Sequence, residues 1–168
     1  DAGLDIFLAQ LNSALQLFDG VTPPNRGFGG TGGDVPLELV VDLAGDAAVP
    51  IAGTVLDPLA RGSRRDHVPR DVELLLSTDG ERFESVMRGE LSPLPVDQAF
   101  AFDEPVPATH ARMGIESTHG ANPFVRGVAL GEWKVVAKPG AAPDDMPANI
   151  AEPVRGGHLA RHTPFLGA

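Results

Sequence analysis

The spacing of hydrophobic positions changes once along the chain. Between Leu4 and Phe18 the apolar side chains fall at Leu4, Phe7, Leu8, Leu11, Leu15 and Phe18, as on one face of a helix. A short N-terminal helix is expected there. Asp19-Gly20 closes it, because glycine accepts the left-handed conformation in which helices end. Residues 21–34 carry Pro23, Pro24, Gly27, Gly29, Gly30, Gly32 and Gly33, a composition that predicts a loop. These glycines do not read as a phosphate cradle, since no strand precedes them and no helix opening on Lys and Ser or Thr follows.

From Val35 onward the period is two. Val35, Leu37, Leu39, Val41 and Leu43 alternate with Pro36, Glu38, Val40 and Asp42, which predicts a half-buried strand. The apolar stretch Val49–Leu56 predicts a second strand, expected to pair with the first. Val72, Leu74 and Leu76 oppose Asp71 and Glu73 in a third. Ser77-Thr78-Asp79-Gly80 then reads as a hairpin turn with positive φ at Gly80, and Phe83 and Val86 fall in the returning strand. Phe100 and Phe102 predict a short strand, and Ala111, Met113 and Ile115 another. Over Val125–Lys138 the inward phase runs Val128, Leu130 and then Trp133, Val135, Ala137. A one-residue shift at Gly131 is what a β-bulge produces. Leu39, Val41, Leu74, Leu76, Met113, Ile115, Leu130, Trp133 and Val135 are the expected core.

Strands at this spacing with no helix between 35 and 138 indicate an all-β sandwich or barrel, and a sandwich of two antiparallel sheets is the expectation. A doubly wound α/β fold needs helices between its strands. Residues 1–138 form the expected domain, and 139–168 a linker with an irregular tail. Pro139 to Pro147 is the linker. Residues 148–168 are too few to fold alone, so they either pack back on the sandwich or open a following module.

The chain has 168 residues, enough for one domain. Its 42% apolar content suits a buried core. A net charge of −10 argues against nucleic acid, whose phosphates require clustered Lys and Arg. The one basic run, Arg61 to Arg70, is interrupted by Asp66 and reads as a solvated loop. The absence of cysteine removes disulfides, thiolate metal sites and Cys nucleophiles. No apolar run approaches the roughly 18 residues of a transmembrane segment. No signal peptide is visible, but the first residue is Asp1 and not Met, so the chain reads as an excised or processed piece.

Five segments in order resemble the discoidin family, also called coagulation-factor C-type or galactose-binding-like. They are Ala14–Gly20 (ALQLFDG), Leu39–Gly45 (LVVDLAG), Val72–Phe83 (VELLLSTDGERF), Pro107–Ile115 (PATHARMGI) and Val128–Val135 (VALGEWKV). The resemblance covers roughly residues 14–138 and implies an eight-stranded jelly roll whose loops at one end bind ligand, often sugar and sometimes phospholipid or protein. It also implies a structural calcium held by Asp19 and Glu132, with carbonyls from the 20–25 loop and near Leu130. Calcium takes six to eight oxygens, which carboxylates and a kinked loop supply. Val21-Thr22-Pro23-Pro24 departs from the family pattern, which has a polar residue, Thr and Trp after Asp-Gly.

A sugar site needs an apolar ring face and convergent polar groups. Aromatic residues are only 5% of the chain, with one Trp and no Tyr, so the choice of platform is narrow. Ser117 to Phe124 offers His119, Asn122 and Phe124, and Arg61 to Arg70 offers Arg64, Arg65 and His67. The expected ligand-binding set is Arg65, His67, His119 and Asn122 with Phe124 as platform. The plain alternative is two ordinary polar turns with Phe124 folded inward. Catalysis has little support: Ser63 or Ser117 beside His67 or His119 lacks a nucleophile elbow. Glu116 with Glu73 or Asp97 has no spacing that singles it out as a glycosidase pair. His158 and His162 have the spacing of a helical metal pair, but Gly156-Gly157 and Pro164 oppose a helix. The leading expectation is a non-catalytic carbohydrate-binding module of a larger exported bacterial protein, extracellular, cell-surface or periplasmic, with a carbohydrate or cell-surface glycan as partner. A structural or adhesive module that binds protein is the alternative, and a glycan-active enzyme fragment the second alternative.

Overall fold

The computed structural model describes residues 28–29, 35–43, 47–58, 67–120, 128–141 and 158–162, the first and last of these by backbone pairing alone. The helix expected over Leu4–Phe18 lies outside the described residues. In chain order the strands are β1 (Phe28–Gly29), β2 (Leu37–Asp42), β3 (Val49–Asp57), β4 (Asp71–Ser77), β5 (Glu84–Glu90), β6 (Gln98–Ala108), β7 (His110–Ile115), β8 (Ala129–Leu130), β9 (Glu132–Ala137) and β10 (His158–His162). They form a five-stranded sheet β10-β2-β7-β4-β5, a three-stranded sheet β6-β3-β9 and a short pair β1-β8. Every pairing is antiparallel.

The inward phase of each strand builds one core. Leu39, Val41, Leu74, Leu76, Met113 and Ile115 from the larger sheet join Ile51, Leu56, Trp133, Val135 and Ala137 from the smaller. All nine residues expected in the core are at most 3% exposed. Two apolar faces that shed water against each other are what holds such a sandwich together. The Trp133 indole donates to Thr54 Oγ1 at 3.0 Å, and that hydroxyl donates to Lys134 O at 2.8 Å. The largest buried side chain therefore also satisfies its one polar group.

The pairing expected between Val49–Leu56 and the preceding strand is not found. β3 lies in the other sheet, between β6 and β9, whereas β2 pairs with β7 and β10. Alternation specifies which face of a strand is buried and carries no information about its neighbour. The strand expected around Phe100 and Phe102 is longer, running to Ala108, because β6 bulges: Ile51 opposes Val106 while Gly53 opposes Ala101. A Cβ on Gly53 would sit 2.5 Å from Phe100 O, so this close approach needs glycine. Phe83 precedes β5 instead of lying within it, and its ring sits under the Arg112 guanidinium at 4.8 Å. The inward phase does shift at Gly131, from Leu130 to Trp133, but as a break between β8, which pairs with β1, and β9, which pairs with β3, and not as a bulge within one strand. Of the two courses open to residues 148–168, His158–His162 packs back as β10 on β2, so this part of the tail is a strand and not irregular.

The β4–β5 turn carries a pH-dependent element. Asp79 Oδ1 accepts from the Arg82 and Glu81 amides at 2.8 and 2.9 Å and from the Ser77 hydroxyl at 2.9 Å, and Gly80 has φ 73°. These donors, the Arg82 amide foremost, lower the Asp79 pKa to about 2 from 3.8. A depressed carboxyl stabilises the fold fully above its unfolded value and loses that contribution as pH falls through its folded value. Asp79→Ala is therefore expected to lower the melting temperature at pH 7. In melts recorded down the pH scale, its gap to the wild type should close between about pH 4 and pH 2.

Candidate functional site

Three connections cross between the two sheets at a single end of the sandwich. Residues 58–70 leave β3 and enter β4, 91–97 leave β5 and enter β6, and 116–131 leave β7 and reach β9 through β8. The registers put their roots together: Asp57 opposes Glu132 and Leu56 opposes Gln98 in one sheet, while Val72 opposes Ile115 and Asp71 opposes Glu90 in the other. Loops on a rigid scaffold can converge without disturbing the core beneath them.

Two of these connections are hydrogen-bonded to each other. The β4–β7 ladder continues past the strands through Glu116 N to Asp71 O and Arg70 N to Ser117 O, both 2.8 Å, and His119 N to Val68 O at 2.9 Å. Pro69 and Thr118 form an isolated bridge in the same run. His67 and His119 thus sit on neighbouring segments, both half-buried. The His119 ring bonds Leu91 O through Nε2 at 2.6 Å. A carbonyl only accepts, so Nε2 is the donor, and in the neutral ring Nδ1 is then an acceptor. Leu91 N in turn donates to Arg70 O at 2.8 Å, which ties in the third connection. Arg65, Asn122 and Phe124 belong to the same two connections but lie outside the described residues.

Arg70, Asp71 and Ser117 form a cluster the sequence reading did not single out. Arg70 Nε and Nη2 donate to Asp71 Oδ2 at 3.0 and 2.7 Å, and the Ser117 hydroxyl donates to the same oxygen. The Arg70 guanidinium, and after it Ser117, holds the Asp71 carboxyl below its ordinary range. Ser117 is thus engaged with a carboxylate and His119 with a carbonyl, so the two do not make a nucleophile–base pair. Glu73 and Glu116 do line one recess of about 600 Å³ on the outer face of the large sheet, with Arg88. Ser85 and then Arg88, 2.9 Å away, hold Glu73 below its ordinary range, the reverse of what a general acid requires. Asp97 is paired with Lys134 at 3.3 Å.

Glu132 opens β9 and is 1% exposed. Directly opposite it stands Asp57, also 1% exposed. Gly131 N donates to Asp57 O at 2.7 Å, and a Cβ at Gly131 would lie 2.9 Å from Asp57 Cγ. Neither carboxylate is free. Two buried carboxylates on one rung are costly without balancing donors or a cation, and their oxygens are the hard donors calcium takes. In donor chemistry the pair fits the ion. Asp19 lies outside the described residues. Asp57 was not foreseen; the signal was a carboxylate closing the apolar run Val55-Leu56 before Pro58.

The architecture is an antiparallel β-sandwich, and it is shared with solved carbohydrate-binding modules. The chain is similar to the family 32 carbohydrate-binding module of NanJ from Clostridium perfringens in complex with galactose, at 17% identity and TM-score 0.58 over 71% of this chain and 81% of that one. It is similar to a second C. perfringens module, in complex with GalNAc-β-1,3-galactose, at 18% identity and TM-score 0.57 over 70% and 78%. A third, from a family 31 glycoside hydrolase of C. perfringens, has 15% identity and TM-score 0.58 over 73% and 82%. At these identities the likeness carries the fold. No protein-family model matches the chain, and no curated protein matches it in sequence. No helix among the described residues is long and apolar enough to cross a membrane.

Proposed function

We propose that this chain is a non-catalytic carbohydrate-binding module whose saccharide sits against the converged connections 58–70 and 116–131. The observation that carries the reading is the hydrogen-bonded run from Asp71–Glu116 to Val68–His119, on a fold whose solved neighbours include complexes with galactose and a galactose-containing disaccharide. Phe124 supplies the ring platform, and Arg65, His67, His119 and Asn122 the polar partners. His119 contributes Nδ1 as an acceptor for a sugar hydroxyl, its ring fixed from the other side by Leu91 O. The module belongs to a longer exported bacterial chain, where it would raise the effective concentration of an attached domain at a glycan surface. A structural calcium on Glu132 and Asp19 would balance the buried charge of Glu132 and of Asp57, which stands opposite it.

Shallow neutral-sugar sites gain little per atom, so affinities from about millimolar to high micromolar are expected. On a glycan array followed by calorimetry, Phe124→Ala should remove detectable binding with the fold intact. His119→Ala or Asn122→Ala should weaken it by about 1–3 kcal/mol. If no sugar binds and another protein does, the adhesive reading replaces this one.

A further inference from the structure

Among the described residues two large hydrophobic side chains stand exposed, Leu94 at 56% and Val96 at 52%. A single exposed aliphatic is ordinary. These two lie one residue apart on the third connection at the candidate binding end, and the connection is stiff. Pro93 and Pro95 fix their own φ angles. Ser92 and Gln98 close the base with two reciprocal bonds, Ser92 N to Oε1 and Nε2 to Ser92 O, each 2.8 Å. Val96 N donates to Leu94 O at 2.9 Å, and Asp97 is held by Lys134. Leu91, fully buried at the root, is the residue whose carbonyl takes the His119 ring.

The loop, tied at its Leu91 root to both polar connections, therefore holds two aliphatic groups out in water at little further entropic cost on binding. A pyranose presents a C–H face that needs apolar contact. With one platform assigned to Phe124, we propose that Leu94 and Val96 form a second subsite that packs the C–H face of the next sugar residue, so that the ligand is an oligosaccharide. This rests on the carbohydrate-binding reading above. The polar connections hold the terminal residue, and the Pro93–Val96 loop selects for chain length.

The test compares the wild type with Leu94→Ser/Val96→Ser. The array carries common hexoses and N-acetylhexosamines, each alone and as its di- and trisaccharide. Both positions are exposed, so the melting temperature should not change. The wild type should favour the longer forms by about tenfold, a step the burial of two aliphatic groups can supply. The variant should bind monosaccharides as before and lose that preference to within about twofold. A preference unchanged in the variant, or absent from a wild type that binds monosaccharides, overturns the subsite alone. A wild type that binds no saccharide overturns the functional reading and the subsite with it. Vesicles of phosphatidylcholine and phosphatidylserine provide the last arm: binding by the wild type that the variant loses assigns the pair to a membrane and overturns the proposal.

Discussion

Trp133→Ala is expected to destabilise the domain by about 3–5 kcal/mol, the usual cost of a large buried ring. Trp133 is fully buried where the two sheets meet and is first among the fully buried side chains by volume. Its removal leaves a cavity and takes the indole donor from Thr54 Oγ1. Thr54 still donates to Lys134 O, so the β3–β9 ladder persists while the core beneath it is emptied. For a domain of this size the fall in melting temperature should reach roughly 10 °C or more. Trp133→Phe refills most of the volume and should recover the larger part. Denaturant titration of both variants measures the difference. A loss below about 1 kcal/mol for Trp133→Ala is outside what a buried ring can give.

Removal of calcium should lower the melting temperature, because an ion bound only by the native state stabilises it by mass action. At one hundred times its dissociation constant the ion contributes about 2.7 kcal/mol, or roughly 5–10 °C here. EDTA should remove that increment and added calcium restore it. In Glu132→Gln both effects should shrink, since the carboxylate charge is gone while the shape remains. The same melts on Asp57→Asn ask whether the opposing carboxylate of the rung shares the ion. Melting temperatures that ignore both EDTA and calcium would leave Glu132 and Asp57 as carboxylates balanced by protein donors alone.

The strands were legible in the chain because burial imposes a period of two on each. Leu37 to Val41, Val72 to Leu76 and Ala111 to Ile115 display their buried faces in their spelling, and the core follows from them. Partners were not legible. Val49–Leu56 reads as a neighbour of the strand before it, yet the chain crosses to the other sheet between Leu43 and Val49. Nothing in an alternating pattern records that crossing. The reach of β6 was hidden by Asp103-Glu104-Pro105, where the strand bulges away from β3 and alternation stops. At the candidate site, His67 and His119 stand out by their chemistry, and their place on neighbouring segments follows from two connections that share an end. Asp57 closes an apolar run, but its place opposite Glu132 joins two positions far apart in the chain, and alternation records no such pairing. Leu94 and Val96 carry no periodic pattern in the chain, and their exposure on a pinned, proline-flanked loop is what distinguishes them.

Saccharide binding at the end of the sandwich where the three connections meet is open to direct observation. The most direct measurement is a titration of the 15N-labelled protein with a sugar that binds on the array, followed through the backbone amide shifts. Concentration-dependent shifts are expected at Val68, Arg70, Ser117, His119 and Gly120, and none of them in Phe124→Ala. Shifts confined to the far end around Leu43, Thr109 and the Asp79 turn, or to the apolar recess lined by Ala52, Phe100 and Val136, would contradict binding where the connections meet.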